Sequence, residues 1–156
     1  MTQTAAQLTV TAKEAICDAL NQSVAETAVT TMLAQNFHWN VTGMAFGPLH
    51  ALFQQIYEDH FTAQDELAER IKAIGGHADG QLAGMLKRSK VAEHDGHANA
   101  EVMIDSLAKA QETLAATLAG TAAVAEEHGD LLTQDLAIAR GQVHEKFAWL
   151  LRAHLG

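Results

Sequence analysis

Apolar residues recur along this chain at helical spacing, and the pattern breaks in only a few places. Ile16, Leu20 and Val24 repeat four apart after Thr11-x-x-Glu14, which has capping-box form. They predict a helix from near Thr11 to about Val41, stopped at Gly43. A second helix is predicted to start at Pro48, a residue suited to the first helical position. Leu49, Phe53, Ile56, Ala63, Leu67, Ile71 and Ile74 then fall on one narrow stripe when each residue turns the helix by about 100°. Gly75-Gly76 ends it. Met103, Leu107, Ala110, Leu114 and Leu118 carry a third long helix over about Ala98 to Glu127. Leu132, Leu136, Ala139, Val143, Phe147 and Leu150 carry a fourth, from the "HGD" at His128 to Asp130 to about His154. Residues 77–96 form a connector with one short helix near Gln81 to Lys87.

Four amphipathic helices of similar length predict an all-α four-helix bundle. The short "HGD" link makes the last two helices antiparallel neighbours. The connector between the second and third helices is long, and a bundle with one long crossover has the ferritin-like arrangement. The chain reads as a single domain over 1–156, with 1–10 a short N-terminal tail.

Composition agrees. Ten alanines lie between Ala98 and Ala125, and Pro48 is the only proline. No apolar run reaches the length of a membrane span. The N-terminus lacks the basic start and apolar core of a signal peptide, so a cytoplasmic protein is the expectation. Cys17 has no partner for an internal disulfide and reads as a buried small side chain. The formal net charge of -9 argues against direct DNA binding, which needs cationic surface to displace counterions. The one basic cluster, Lys87 to Lys90, reads as a solvated loop.

The second helix carries another stripe beside its apolar one: His50, Gln54, Phe61, Asp65 and Glu69. Three of these are metal-ligand types, and Phe61 is out of place on a purely solvated face. His50 and Asp65 are fifteen residues apart, roughly 22 Å along a helix, so they cannot share an ion within one chain. An antiparallel copy of the same helix, related by a twofold axis, would bring His50 of one chain to Asp65 of the other. His38 can join His50 across the Thr42 to Pro48 turn. Such a nitrogen and carboxylate set suits iron, another first-row divalent metal, or zinc. Read from periodicity alone, the plainer alternative stands: Asp65 and Glu69 are solvated, with Glu69 paired to Lys72. His60 reads as a core histidine. His94 and His97 read as loop polar groups, with an adventitious surface metal as the alternative, and Trp39 as packing. No Glu-x-x-His occurs in the chain, which argues against an intrachain di-iron centre.

The stretch "HWNVTGMAFGPLHALF", followed by "DELAER" and "IKAIGG", resembles the signature of the Dps family of mini-ferritins. The C-terminal "HEKFAWLL" resembles the same family's last helix. The likeness runs from about residue 10 to 155. It implies a homo-oligomer, a dodecameric shell that stores ferric mineral. It also implies ferroxidase centres at twofold interfaces, where ferrous iron is oxidised, typically by hydrogen peroxide. The family's ligands correspond to His38 and His50 of one subunit and Asp65 and Glu69 of another. Trp39 matches an aromatic beside the centre, which implies a catalytic role in intercepting oxidising equivalents. One position departs: Gln54 stands where the family has a carboxylate, which implies a weaker second metal position, with Glu58 one turn on as a compensating ligand. Asp130 and Asp135, beside Glu126 and Glu127, correspond to the region of acidic pores. The alternative is a non-enzymatic structural, DNA-binding or signalling assembly on the same fold.

Overall fold

The computed structural model describes all 156 residues and is entirely helical. The elements in order are α1 (Val10–Asn40), α2 (Phe46–Ile74), the short α3 (Leu82–Arg88), α4 (Ala100–Glu127) and α5 (Leu131–Arg152). α1 pairs with α2 and α4 with α5, each pair joined by a short link, and α1 also packs on α4. The long crossover between the two hairpins lays α3 against α1.

The helix ends follow capping chemistry, with two shifts from expectation. α1 is capped by Thr9 rather than Thr11: the Ala12 amide donates to Thr9 Oγ1 at 3.2 Å. α2 begins at Phe46, two residues before Pro48, which keeps the proline in the first turn, where its missing N–H has no carbonyl to lose. At the other end Gly75 has φ +96°, its amide donates to the Lys72 carbonyl and the Gly76 amide to that of Ile71. That is a Schellman closure. Gly76 is needed for a further reason: a Cβ there would lie 2.4 Å from Cys17 Sγ on α1. The first nine residues stay at the end of the bundle where α4 meets α5, with Leu8 buried and the Gln3 amide donating to the Gly129 carbonyl at 2.8 Å.

Every residue of the predicted α2 stripe is buried, and His60 with them. The apolar core falls into two clusters, one around Phe37, Phe53 and Phe147, the other around Leu20, Leu67 and Leu118. A polar waist separates them: Glu26 on α1, His60 on α2, Gln111 on α4, and Arg140 and His144 on α5, all buried. No helix is long and apolar enough to cross a membrane.

Candidate metal centre

The link between α1 and α2 lays the last turn of one beside the first turn of the other, and His38 meets His50 there. Their rings stack with centroids 3.7 Å apart and planes 17° apart. His38 Nδ1 lies 2.8 Å from the His50 carbonyl oxygen, and His50 Nδ1 lies 2.8 Å from the His38 carbonyl oxygen. A carbonyl can only accept, so each neutral ring carries its proton on Nδ1. Both tautomers are thereby set, and each Nε2 keeps the lone pair that a metal requires. Neither Nε2 has a protein partner. The His38 carbonyl is among the last four of α1, which lack helical donors, so the lock also closes a helix end. Phe46 stacks on His50 at 5.0 Å, and Tyr57 meets His38 nearly edge-on at 5.2 Å and 79°.

The other expected ligands do not join this pair within the chain. No group of three or more His, Cys, Asp or Glu side chains converges anywhere in it. Asp65 and Glu69 sit exposed on the outer face of α2 and make neither a hydrogen bond nor an ion pair. Lys72, the alternative partner of Glu69, donates instead to the Gly76 carbonyl at 2.7 Å. Gln54 is exposed and donates its amide N–H to Glu58 Oε1 at 2.7 Å, which leaves the amide oxygen free. Phe61 and Trp39 are 72% and 60% exposed. With Met32, Leu82 and Leu86 they line a groove of about 520 Å³ between α1, α2 and α3.

Asp130 must be corrected. It is fully buried and caps α5, accepting from the Thr133 amide at 3.2 Å. Arg70 grips both of its oxygens at 2.8 and 3.1 Å, and Thr133 Oγ1 donates to one of them. A carboxylate so engaged is not available to line a pore. Asp135, in the next turn, is exposed. His94 is structural: its Nδ1 accepts from the Gly96 amide, its carbonyl from Asn36, and its ring meets the edge of Phe37. His97 is exposed in the same loop. Arg88, in the basic cluster, is paired with Asp18.

His60 is the expected core histidine, and it belongs to a larger network. Its Nδ1 donates to Asp59 Oδ2 at 3.0 Å, and its Nε2 meets the Gln111 amide. The Gln111 carbonyl oxygen also takes a hydrogen bond from His144 Nδ1 at 2.7 Å. Arg140 holds Asp59 from α5 with contacts of 2.6 and 3.2 Å. Burial pushes both imidazoles below their ordinary pKa, His144 far below, where the charges of His60 and Arg140 add to the effect. Burial alone would raise Asp59, but the hydrogen bonds from His60 and Arg140 outweigh it and hold that carboxyl well below the usual range.

A ferritin-like domain is recognised over residues 17–156. DNA protection during starvation protein 2 of Bacillus anthracis is 35% identical over 140 residues, covering 90% of this chain and 96% of that one. The chain belongs to the Dps family. The structure of a Dps protein from Bacillus brevis superposes with a TM-score of 0.91 at 32% identity, covering 96% of this chain and all of that one. The Vibrio cholerae Dps protein, described as a member of a superfamily of ferritin-like diiron-carboxylate proteins, superposes at 0.92 with 30% identity, covering 100% and 98%. Dps membership makes this a ferritin-like protein of iron storage and protection.

Sequence reasoning missed Phe46 and Tyr57 at the histidine pair. Helical spacing carries both signals: Phe46 precedes His50 by four residues and Tyr57 follows it by seven, on one face.

Proposed function

We propose that this Dps chain is a ferroxidase whose centres are completed by a second subunit, on a homo-oligomer, a dodecamer, that stores ferric mineral in the cytoplasm. The observation that carries the reading is the reciprocal lock of His38 and His50, which leaves Nε2 of both stacked rings without a protein partner. Ferrous iron, the substrate, binds these nitrogens. Asp65 and Glu69 of the partner subunit supply carboxylate oxygens, hard ligands that favour the ferric product, while the histidines retain the ferrous ion. The free, exposed state of Asp65 and Glu69 supports this, as does the aromatic groove around Phe61 and Trp39 on the same face. Hydrogen peroxide is the oxidant, and its removal together with ferrous iron is the protective act. Exposed Asp135, beside Glu126 and Glu127, attracts cations towards the store. Zinc suits the same ligand set and competes with iron.

His50→Ala tests the reading. It removes one nitrogen ligand and one half of the lock, so ferrous oxidation should fall by 10–100-fold or more while the assembly keeps its size; metal sites lose about that much when even an outer hydrogen-bonding partner is removed. Unchanged oxidation in an intact assembly would overturn the enzymatic reading in favour of a non-enzymatic assembly.

A further inference from the structure

We propose that Arg140 is a specificity-determining residue: its guanidinium bars divalent cations from the cluster of metal-ligand side chains inside the bundle, and so confines iron to the face where subunits meet. The inference rests on the ferroxidase reading and goes beyond it, to a place within one subunit.

The polar waist gathers donors of the kind that a first-row metal takes. Asp59 and His60 come from α2, Gln111 from α4 and His144 from α5. The two imidazole rings lie with centroids 4.7 Å apart. Gln111 Oε1 is 3.1 Å from His60 Nε2 and 2.7 Å from His144 Nδ1. Two imidazole nitrogens and an amide oxygen thus adjoin one another, with the Asp59 carboxylate at the other nitrogen of His60. His144 Nε2 is buried and has no partner. The proton on His144 Nδ1 can therefore pass to Nε2 without breaking a bond there, which would free Nδ1 as a ligand.

As the side chains stand, they are engaged with one another and do not converge as a ligand set. The Gln111 amide N–H donates to His60 Nε2 at 2.9 Å, and its oxygen accepts from His144 Nδ1. Bonds between neutral groups are a weak barrier to a divalent ion, because their net worth is small. Arg140 is the strong one. It grips both oxygens of Asp59 at 2.6 and 3.2 Å, with its side chain 10% exposed. The cluster's carboxylate is thereby taken. The charge also lowers the pKa of both His60 and His144, so its field reaches both rings and opposes a metal ion as it opposes a proton. A unit positive charge roughly 7–10 Å from a divalent ion weakens its binding by about a hundredfold or more at an effective dielectric constant of about 20. A guanidinium keeps its proton, so the block does not depend on pH. The arginine is held there at a cost, since its Nε–H is buried without an acceptor.

The experiment titrates the assembled protein with cobalt(II), read by visible absorption and by paramagnetically shifted imidazole protons. It uses a His50→Ala background, which removes a nitrogen ligand from the proposed interface centre. With Arg140 present, no waist imidazole should shift and no absorption of nitrogen-bound cobalt should arise from the waist. Arg140→Gln is neutral but still able to donate to Asp59. It should bind one further cobalt per subunit, about a hundredfold or more tighter than the Arg140 chain does there. Adding His144→Leu should abolish the gain. Arg140→Lys keeps the charge and should stay empty, which a purely structural role for Arg140 would not predict. Arg140→Met, neutral and of similar length, repeats the test if the amide variant does not assemble. No gain in an assembled neutral variant, an equal gain in Arg140→Lys, or cobalt on the waist imidazoles with Arg140 present overturns the proposal. Failure of both neutral variants to assemble also overturns it, since Arg140 would then be structural. Ferrous oxidation compared between the parent and His50→Ala tests the ferroxidase reading separately, and its failure would leave the waist result standing.

Discussion

Substituting Gln54→Glu asks whether one neutral amide limits the centre to one firm iron. In the present chain the Gln54 amide donates to Glu58 Oε1 at 2.7 Å, so the pair carries a single negative charge. The substitution removes that hydrogen bond and sets two carboxylates one helical turn apart. Without metal, like charges at this spacing destabilise by about 0.2–0.5 kcal/mol, and a lost exposed hydrogen bond adds a similar amount. With a divalent ion about 4 Å from the new charge, Coulomb attraction is about 2 kcal/mol even at the dielectric constant of water. A gain of that size is about a thirtyfold increase in affinity for the second ion. An interface that excludes water enlarges it. Anaerobic ferrous titration, scored per subunit, should show one tight and one weak phase in the parent and two tight phases in Gln54→Glu. Oxidation should accelerate with the second phase. Two tight phases in the parent, or identical isotherms and rates in the two proteins, would refute the argument.

Acid should weaken the subunit fold through the polar waist. His60 and His144 are neutral and buried when folded and free to protonate when unfolded, so the unfolded chain binds more protons below pH about 6.5, and stability falls as pH falls below that value. Each contributes up to about 1.4 kcal/mol per pH unit there. Denaturant unfolding of His144→Leu between pH 6.5 and 4 should show a correspondingly shallower slope; a slope equal to the parent's would count against the waist as the acid-sensitive element. Asp130→Ala breaks the buried pair with Arg70 and uncaps α5. It should lower subunit stability by about 3–5 kcal/mol, read as a drop in melting temperature; an unchanged melting temperature would return Asp130 to the solvent-facing role that its position first suggested.

The bundle was legible because burial within one chain leaves a period-3.6 trace. The α2 stripe from Leu49 to Ile74 needed only that trace, and Gly75-Gly76 supplied the stop. The helix starts were less legible. Thr9 and Thr11 are both competent caps, and the capping-box glutamate three residues after Thr11 favoured the wrong one; tertiary docking of Leu8 fixes the chain earlier. Asp130 shows the same limit in the site. An acidic residue at a helix start reads equally well as a cap or as part of a pore. Only Arg70, sixty residues away, decides between them.

The half of the centre within one chain has a different kind of legibility. Spacing could show that His38 and His50 approach across the turn, and that Asp65 lies too far along α2 to join them. It could not show that each imidazole uses the other's carbonyl to fix its proton. That detail leaves both Nε2 lone pairs free for the proposed metal, and it depends on the angle between α1 and α2, which no local pattern encodes. The buried waist shows the contrast. His60 and His144 lie in the middle of the bundle, where an intrachain di-iron centre would need Glu-x-x-His on two helices, yet His60 Nδ1 is spent on Asp59, and His60 Nε2 and His144 Nδ1 on the Gln111 amide. The chain thus buries its central histidines within the bundle and leaves both Nε2 atoms of its peripheral pair free at the α1–α2 link, with the exposed carboxylates of Asp65 and Glu69 further along α2. On the proposed reading a second subunit completes the chemistry at the periphery, which makes assembly and metal binding a single coupled equilibrium.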